Sequence, residues 1–181
     1  MSEKLSRKAR KYAHTPAVNQ TADNACWAAC LVWFCRAYGH GRPQDIDQAT
    51  IMAEFTDWDD GSDVANSDET GSMEPEDLLN VWADDRWGLH ATDVYGGAQL
   101  TAEFLGNLLK KGPVILGFRR FYASPSVNHL VVAYGLTEEG RLHFMDPGRY
   151  PGPDYTFVGA HCNEALSSFQ GSSDILLAWP K

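Results

Sequence analysis

Residues 20–39 read QTADNACWAACLVWFCRAYG, a few small and polar residues followed by an almost unbroken apolar run. Apolar residues on all sides of a helix are typical of a helix that is buried in the centre of a domain. Asp23 or Asn24 can cap the first turn, and Gly39 can end the last one. We therefore predict a central helix from Ala25 to Tyr38, against which the rest of the chain packs.

The remainder of the chain changes from helical patterns to strand patterns along its length. Short β-branched or aromatic runs, separated by glycine, proline and acidic turns, characterise the second half. Helices that precede an antiparallel sheet indicate the α+β class. Helices are predicted at residues 43–55, 75–87 and 101–111, and strands at residues 113–118, 129–134, 141–145 and 174–179.

Composition limits the number of domains and the kinds of partner. A chain of 181 residues, 44% of them hydrophobic, is long enough for one core and too short for two. We predict a flexible tail at residues 1–15 and a single domain at residues 16–181. The net charge of −9, with no Lys/Arg stripe beyond residue 11, argues against a nucleic-acid partner. No run approaches the roughly 18 apolar residues that span a membrane, so no membrane partner is expected.

The cysteines indicate the redox state and the compartment. The chain has four cysteines, which are too few for a disulfide scaffold at this length, so we expect reduced thiols. The first residues lack the apolar stretch of a secretory signal. We therefore expect a protein that is cytoplasmic as synthesised and that, if exported, leaves the cell without a cleaved signal peptide.

Cys26 stands at the beginning of the central helix, whereas Cys30 and Cys35 lie deeper in it. A thiol is nucleophilic as the thiolate, and the partial positive charge at a helix N-terminus lowers its pKa. The deeper cysteines fit better as small core residues, and Cys26 taken alone fits either role. Gln20 favours the chemical role, because its side-chain amide and the backbone N–H of Cys26 can together bind the oxyanion of a tetrahedral intermediate.

A base for such a thiol must come from another part of the chain. Among the six histidines, His129 differs from the others because it opens the apolar strand LVVA directly after a loop. Asp146 ends the following strand, and the tight turn from Thr137 to Gly140 can join the two strands in a hairpin. We therefore predict that Asp146 lies near His129, where it would fix the imidazole tautomer and stabilise the imidazolium.

These motifs, in this order, resemble those of the papain-like cysteine peptidase superfamily. They are Gln-x5-Cys-Trp from Gln20 to Trp27, His129 before a valine-rich strand that ends at Gly135, and Asp-Pro-Gly at residues 146–148. The chain is similar especially to compact bacterial members, such as plant-pathogen effector proteases with a Cys-Trp-Ala-Ala helix and bacteriocin-leader peptidases. The resemblance implies a papain-like fold, in which the nucleophile helix packs against a C-terminal antiparallel sheet.

The resemblance also implies a role for each residue of the site. Cys26 would be the nucleophile, His129 the base and then the acid, Asp146 the orienting group and Gln20 the oxyanion donor, with no cofactor and no metal. The acidic loop at residues 57–71 either borders the substrate groove, where it would favour basic ligands, or is an ordinary solvated loop. The substrate-binding residues expected are Trp27, which packs beneath the site, Gly71, Ser72 and Asn128.

The resemblance implies a thiol hydrolase that cleaves a peptide or isopeptide amide bond, as a bacterial effector or toxin would. Its partners would be a peptide or protein substrate and an inhibitory or immunity protein. A peptidoglycan amidase or endopeptidase, an acyltransferase and a catalytically inactive binding module are alternatives on the same fold. A metal site built from Cys26, Cys30, His161 and Cys162 is a further alternative, although it lacks the second ligand pair that zinc sites use.

Overall fold

One six-stranded antiparallel sheet organises the protein, and helices pack on both of its faces. The computed structural model describes residues 5–22, 25–39, 43–55, 75–120, 127–151 and 157–181, without the side chains of 75–77, 119–120, 127–128 and 149–151. The helices are α1 (Arg7–Ala13), α2 (Cys26–Tyr38), α3 (Gln48–Ala53), α4 (Pro75–Ala83) and α5 (Ala102–Lys111). The strands are β1 (Leu89–Tyr95), β2 (Val114–Arg120), β3 (Val127–Leu136), β4 (Arg141–Pro151), β5 (Phe157–Ala165) and β6 (Asp174–Pro180), in the order β1-β6-β2-β3-β4-β5. This mixture agrees with the α+β class.

The central helix α2 lies where the sequence predicts it. Eleven of its thirteen residues are buried, and it packs on β3 and β4. The helix begins at Cys26 after the cap residue Ala25, which makes no side-chain capping bond, and Asp23 and Asn24 lie outside the described residues. Gly39 ends the helix in the left-handed conformation, with φ of 76°, and its N–H donates to the carbonyl of Cys35 at 2.9 Å. An all-apolar surface has thus placed α2 inside the core, as expected.

Alternate residues of β3 supply the two faces of the sheet. Leu130 and Val132 belong to the hydrophobic cluster that contains α2, whereas Val131 and Ala133 belong to the cluster that contains α5. This division follows from the two-residue period of a strand, which sends successive side chains to opposite faces. The sheet is therefore covered on both sides, and the side that carries α2 is the one that carries Cys26.

The N-terminal segment differs from the predicted flexible tail at residues 1–15. Its described part forms α1, in which Ala9 and Tyr12 are buried, and Ser6 caps the helix by accepting from the N–H of Ala9. The Nζ of Lys8 donates to the carbonyls of Lys110 at 3.1 Å and Lys111 at 3.0 Å, which end α5. The prediction was wrong for this helix because the many basic residues obscured the apolar positions that dock it.

The two edge strands, β1 and β5, were not predicted. Both combine polar and apolar residues and are half-buried along most of their length, so neither shows the buried run that identified the inner strands. Because β1 precedes α5, the chain does not complete its helices before the sheet begins. The predicted helices at residues 43–55 and 75–87 are shorter than expected and correspond to α3 and α4. Within the described ranges, no helix has the length and apolar character needed to cross a membrane.

Candidate active site

The β3–β4 hairpin brings His129 and Asp146 together, as the sequence predicts. Its turn is closed by the N–H of Thr137, which donates to the carbonyl of Arg141 at 2.9 Å, and Gly140 takes the left-handed conformation, with φ of 76°, that the turn requires. The Nε2 atom of His129 lies 2.7 Å from the Oδ1 atom of Asp146. The two side chains are 8% and 0% exposed, so this contact is shielded from solvent.

Asp146 is itself held in place by the backbone. Its Oδ1 atom also accepts from the N–H of Gly148 at 3.0 Å, and the pairing of β4 with β5 shifts register between Asp146 and Tyr150. An ionised carboxylate only accepts hydrogen bonds, so with Asp146 ionised the Nε2 of His129 carries the proton and donates it to Asp146. The Nδ1 atom of the neutral imidazole then has the lone pair, which makes it the nitrogen that can accept a proton.

Cys26, the first residue of α2, meets β3 next to His129. The backbone N–H groups of Leu130 and Trp27 lie close enough to its sulfur to lower the pKa of the thiol. Burial nevertheless dominates and, together with the charge of Asp146, raises the pKa of Cys26 from 9.0 to about 11. The N–H groups at the beginning of α2 lower this pKa, as expected, but burial outweighs them, since only 7% of the residue is exposed. The thiol therefore needs a proton acceptor to become a nucleophile at neutral pH.

Gln20 is hydrogen-bonded to the same segment that contains Asp146. Its backbone N–H donates to the carbonyl of Pro147 at 3.0 Å, and its Nε2 donates to the carbonyl of Ala22 at 2.9 Å, which orients the amide. A side chain at Gly148 would meet the amide, because a Cβ there would lie 2.5 Å from the Oε1 atom of Gln20. The glycine of the Asp-Pro-Gly motif thus lets the amide approach the strand end.

The contacts above join four residues from two distant parts of the chain, Gln20 and Cys26 from one and His129 and Asp146 from the other. Cys26 reaches β3 at the residue after His129, His129 binds Asp146, and Gln20 binds the residue after Asp146. The arrangement supplies a nucleophile, a base with a defined tautomer, an acceptor for the base and an amide donor. These are the components that acyl transfer through a thiol requires.

The substrate-binding residues expected from sequence have different outcomes. Trp27 is 3% exposed and packs edge-to-face on Phe55, with ring centroids 6.0 Å apart, so it supports the site from the core and has no face for a ligand. The backbone of Asn128 pairs with Arg119 of β2, and its side chain is not described. Gly71 and Ser72, together with the acidic loop at residues 57–71, lie outside the described residues.

The metal alternative does not fit the contacts of His161. Its Nδ1 pairs with the hydroxyl of Tyr134 at 3.0 Å, and its Nε2 donates to the carbonyl of Thr15 at 2.7 Å. Among the residues that the structure describes, no group of three or more His, Cys, Asp and Glu side chains could hold a metal ion. All four cysteines lie in this part of the chain, and none forms a disulfide.

Three features of the site were missed by the sequence. The backbone N–H of Leu130 contacts the sulfur of Cys26, Phe118 packs edge-to-face on the imidazole of His129 with centroids 6.1 Å apart, and Gly148 binds Asp146 through its N–H. The contribution of Gly148 could have been predicted from the sequence, because this residue belongs to the Asp-Pro-Gly motif. The other two depend on strand register and have no local signature.

No protein-family model matches the chain, and no curated protein matches it. The function must therefore be argued from the site.

Proposed function

We propose that this protein is a papain-like cysteine hydrolase that cleaves a peptide or isopeptide amide bond. The observation that carries the proposal is the 2.7 Å contact between the Nε2 of His129 and the Oδ1 of Asp146, because it leaves Nδ1 as the basic nitrogen. Cys26 lies against the next residue, Leu130, and has a thiol that burial keeps protonated unless a base accepts its proton. A base so oriented beside such a thiol fits nucleophilic catalysis better than a purely structural role.

Acylation would begin when the Nδ1 of His129 takes the proton of Cys26. The sulfur attacks the amide carbonyl carbon, and the carbonyl π electrons move to the oxygen, where the amide of Gln20 and the backbone N–H of Cys26 stabilise the oxyanion. The imidazolium then gives its proton to the leaving nitrogen as the C–N bond breaks. The products of this step are a free amine and a thioester on Cys26.

Hydrolysis of the thioester reverses the roles of the imidazole. His129, now neutral, takes a proton from a water molecule whose oxygen attacks the thioester carbon, and the C–S bond breaks. The acid product leaves, and the sulfur regains its proton from the imidazolium. Asp146 stabilises the positive charge that His129 carries in both steps, which matters because the pair is shielded from solvent.

Charge favours a peptide substrate over the peptidoglycan alternative. The bacterial cell wall is a polyanion, and a protein of net charge −9 gains no electrostatic steering towards it. Basic or neutral polypeptides carry no such disadvantage. The proposed substrate is therefore a protein or peptide amide.

The test compares wild type with Cys26→Ala on three substrates: a peptide library, a denatured protein and purified sacculi. We expect new peptide termini, detected by mass spectrometry, that appear with wild type and not with Cys26→Ala. Release of muropeptides without peptide cleavage would replace the protease with an amidase. Equal results for the two proteins on all three substrates would contradict the hydrolase.

A further inference from the structure

The segment that carries Gln20 has a cavity on one side. The cavity has a volume of about 450 Å³, and it lies between this segment and the helices α2 and α3. Its lining includes Asn19 and Thr21, the two neighbours of Gln20, and Gln48, the first residue of α3. Close packing cannot fix the position of the segment on the cavity side, so directional contacts must do so.

Gln48 supplies those contacts through both ends of its amide. Its Nε2 donates to the carbonyl of Asn19 at 2.7 Å, and its Oε1 accepts from the N–H of Thr21 at 3.1 Å. The hydroxyl of Thr21 also donates to Oε1, at 3.3 Å. Gln48 is buried, 8% exposed, so these bonds form where competition from water is small. A single side chain thus holds the backbone before and after Gln20.

The opposite side of the segment is held by the sheet. The N–H of Gln20 donates to Pro147, and the Oδ1 of Asn19 accepts from the N–H of Gly159 at 2.9 Å. A Cβ at Gly159 would overlap the carbonyl of Val18, so the strand approaches the segment closely. The segment of residues 19–21 is therefore held from both sides, by the sheet on one side and by Gln48 on the other.

We propose that Gln48 is a positioning residue for the oxyanion-stabilising amide of Gln20, an inference that rests on the proposed function. Gln48 touches neither the reacting atoms nor Cys26. It acts by fixing the backbone from which the side chain of Gln20 extends, and a displacement of about 1 Å at such a group can lower a rate a hundredfold.

The test compares two reactions of Cys26 that differ in their need for an oxyanion site. With 4-nitrophenyl acetate, the sulfur bonds to the carbonyl carbon, an oxyanion forms, and 4-nitrophenolate leaves with the electron pair of the broken C–O bond. With iodoacetamide, the sulfur displaces iodide from a saturated carbon, and no oxyanion forms. A residue that positions Gln20 should affect the first reaction alone.

The variant Gln48→Met keeps the length of the side chain and removes all three of its hydrogen bonds. We expect it to lower the acylation rate about tenfold while alkylation of Cys26 stays roughly unchanged. Gln48→Glu, which keeps the acceptor for Thr21 and loses only the donor to Asn19, should give the same pattern if the methionine variant does not fold. Gln170→Met is the matched control, because it removes a hydrogen bond of the same kind, to the carbonyl of Leu100, away from the Gln20 segment, and should change neither rate.

A double variant decides whether the effect passes through Gln20. In the Gln20→Ala background, Gln48→Met should cause no further loss of acylation. If Gln48→Met lowered acylation and alkylation equally, or lowered acylation as much in the Gln20→Ala background as in wild type, the positioning role of Gln48 would be wrong. The proposed function would be unaffected by either result. Equal 4-nitrophenolate release by wild type and Cys26→Ala would instead remove the proposed function, and the inference with it.

Discussion

Removal of the imidazole of His129 should show how far the buried thiol depends on it. Burial raises the pKa of Cys26 to about 11, so an isolated thiol at this position would be about 10⁻⁴ ionised at neutral pH. If His129 takes the proton, the thiolate becomes the main form. Because a thiolate of higher pKa is also the stronger nucleophile, we expect iodoacetamide to alkylate Cys26 about 10² to 10⁴ times more slowly at neutral pH in His129→Ala than in wild type.

The pH dependence of the alkylation rate further distinguishes Cys26 with the imidazole of His129 from Cys26 without it. If the imidazole of His129 holds the proton of Cys26, the wild-type rate should reach a plateau at or below neutral pH. The His129→Ala rate should rise about tenfold per pH unit towards pH 11. Asp146→Asn should lie between them, since an amide can orient the imidazole but does not stabilise its positive charge. Rates are measured by mass mapping of the labelled peptides.

The other residues of the chain supply the controls. His14→Ala, which changes an exposed histidine at the end of α1, should leave the profile unaltered. Cys162 is partly exposed and serves as an internal reference thiol. A wild-type rate that climbs with pH and has no neutral plateau would refute the argument for the Cys26–His129 pair. Labelling of Cys162 before Cys26 in the folded protein would show that the nucleophile is wrongly assigned.

Three further outcomes are expected. Gln20→Ala should lower turnover roughly a hundredfold and leave iodoacetamide labelling unaltered, because only acyl transfer needs the oxyanion donor; equal losses in both assays would exclude that role. Gly148→Ala should also lower turnover and leave labelling unaltered, because the added methyl group displaces the amide of Gln20. Gly106→Ala, where an added Cβ meets nothing within 4 Å, should change neither turnover nor labelling. Burial raises the pKa of Tyr12 and of Tyr134 from 10.0 to about 12. The unfolded chain therefore loses these two protons at a lower pH than the folded protein, and the free energy of unfolding should fall between pH 10 and 12. A spectrophotometric titration of the folded protein in which all tyrosines ionise together near pH 10 would contradict this.

The parts of the fold that the sequence predicts best are those with strong local signals. The central helix follows from its apolar surface, and the pairing of His129 with Asp146 follows from a short turn between two apolar strands. The turn fixes the register next to it, with Leu136 opposite Leu142, and a bulge between Ala133 and Gly135 shifts the pairing by only one residue further along, so His129 and Asp146 stay at the same end of the hairpin. The proximity of these two residues was therefore predictable without any tertiary argument.

The parts that the sequence predicts poorly depend on what packs against them. The pKa of Cys26 is set mainly by burial, which no local pattern reveals, so the expected effect of the helix N-terminus was given too much weight. The role of Gln48 in holding Asn19 and Thr21 joins segments about 28 residues apart in the chain. The edge strands β1 and β5 resemble loops because most of their residues are only half-buried or exposed.

The docking of α1 has a practical consequence for anyone who prepares the protein. A version that begins at residue 16, the natural choice if the first fifteen residues were a tail, would leave Gly135 bare on β3, where Leu5 and Ala9 approach too closely for any side chain to fit between them. It would also strip the ammonium group of Lys8 from the last carbonyls of α5. Such a truncation removes α1 and exposes an apolar patch on the inner strand β3. Poor yield and aggregation would then result from the exposed patch and not from the chemistry of Cys26.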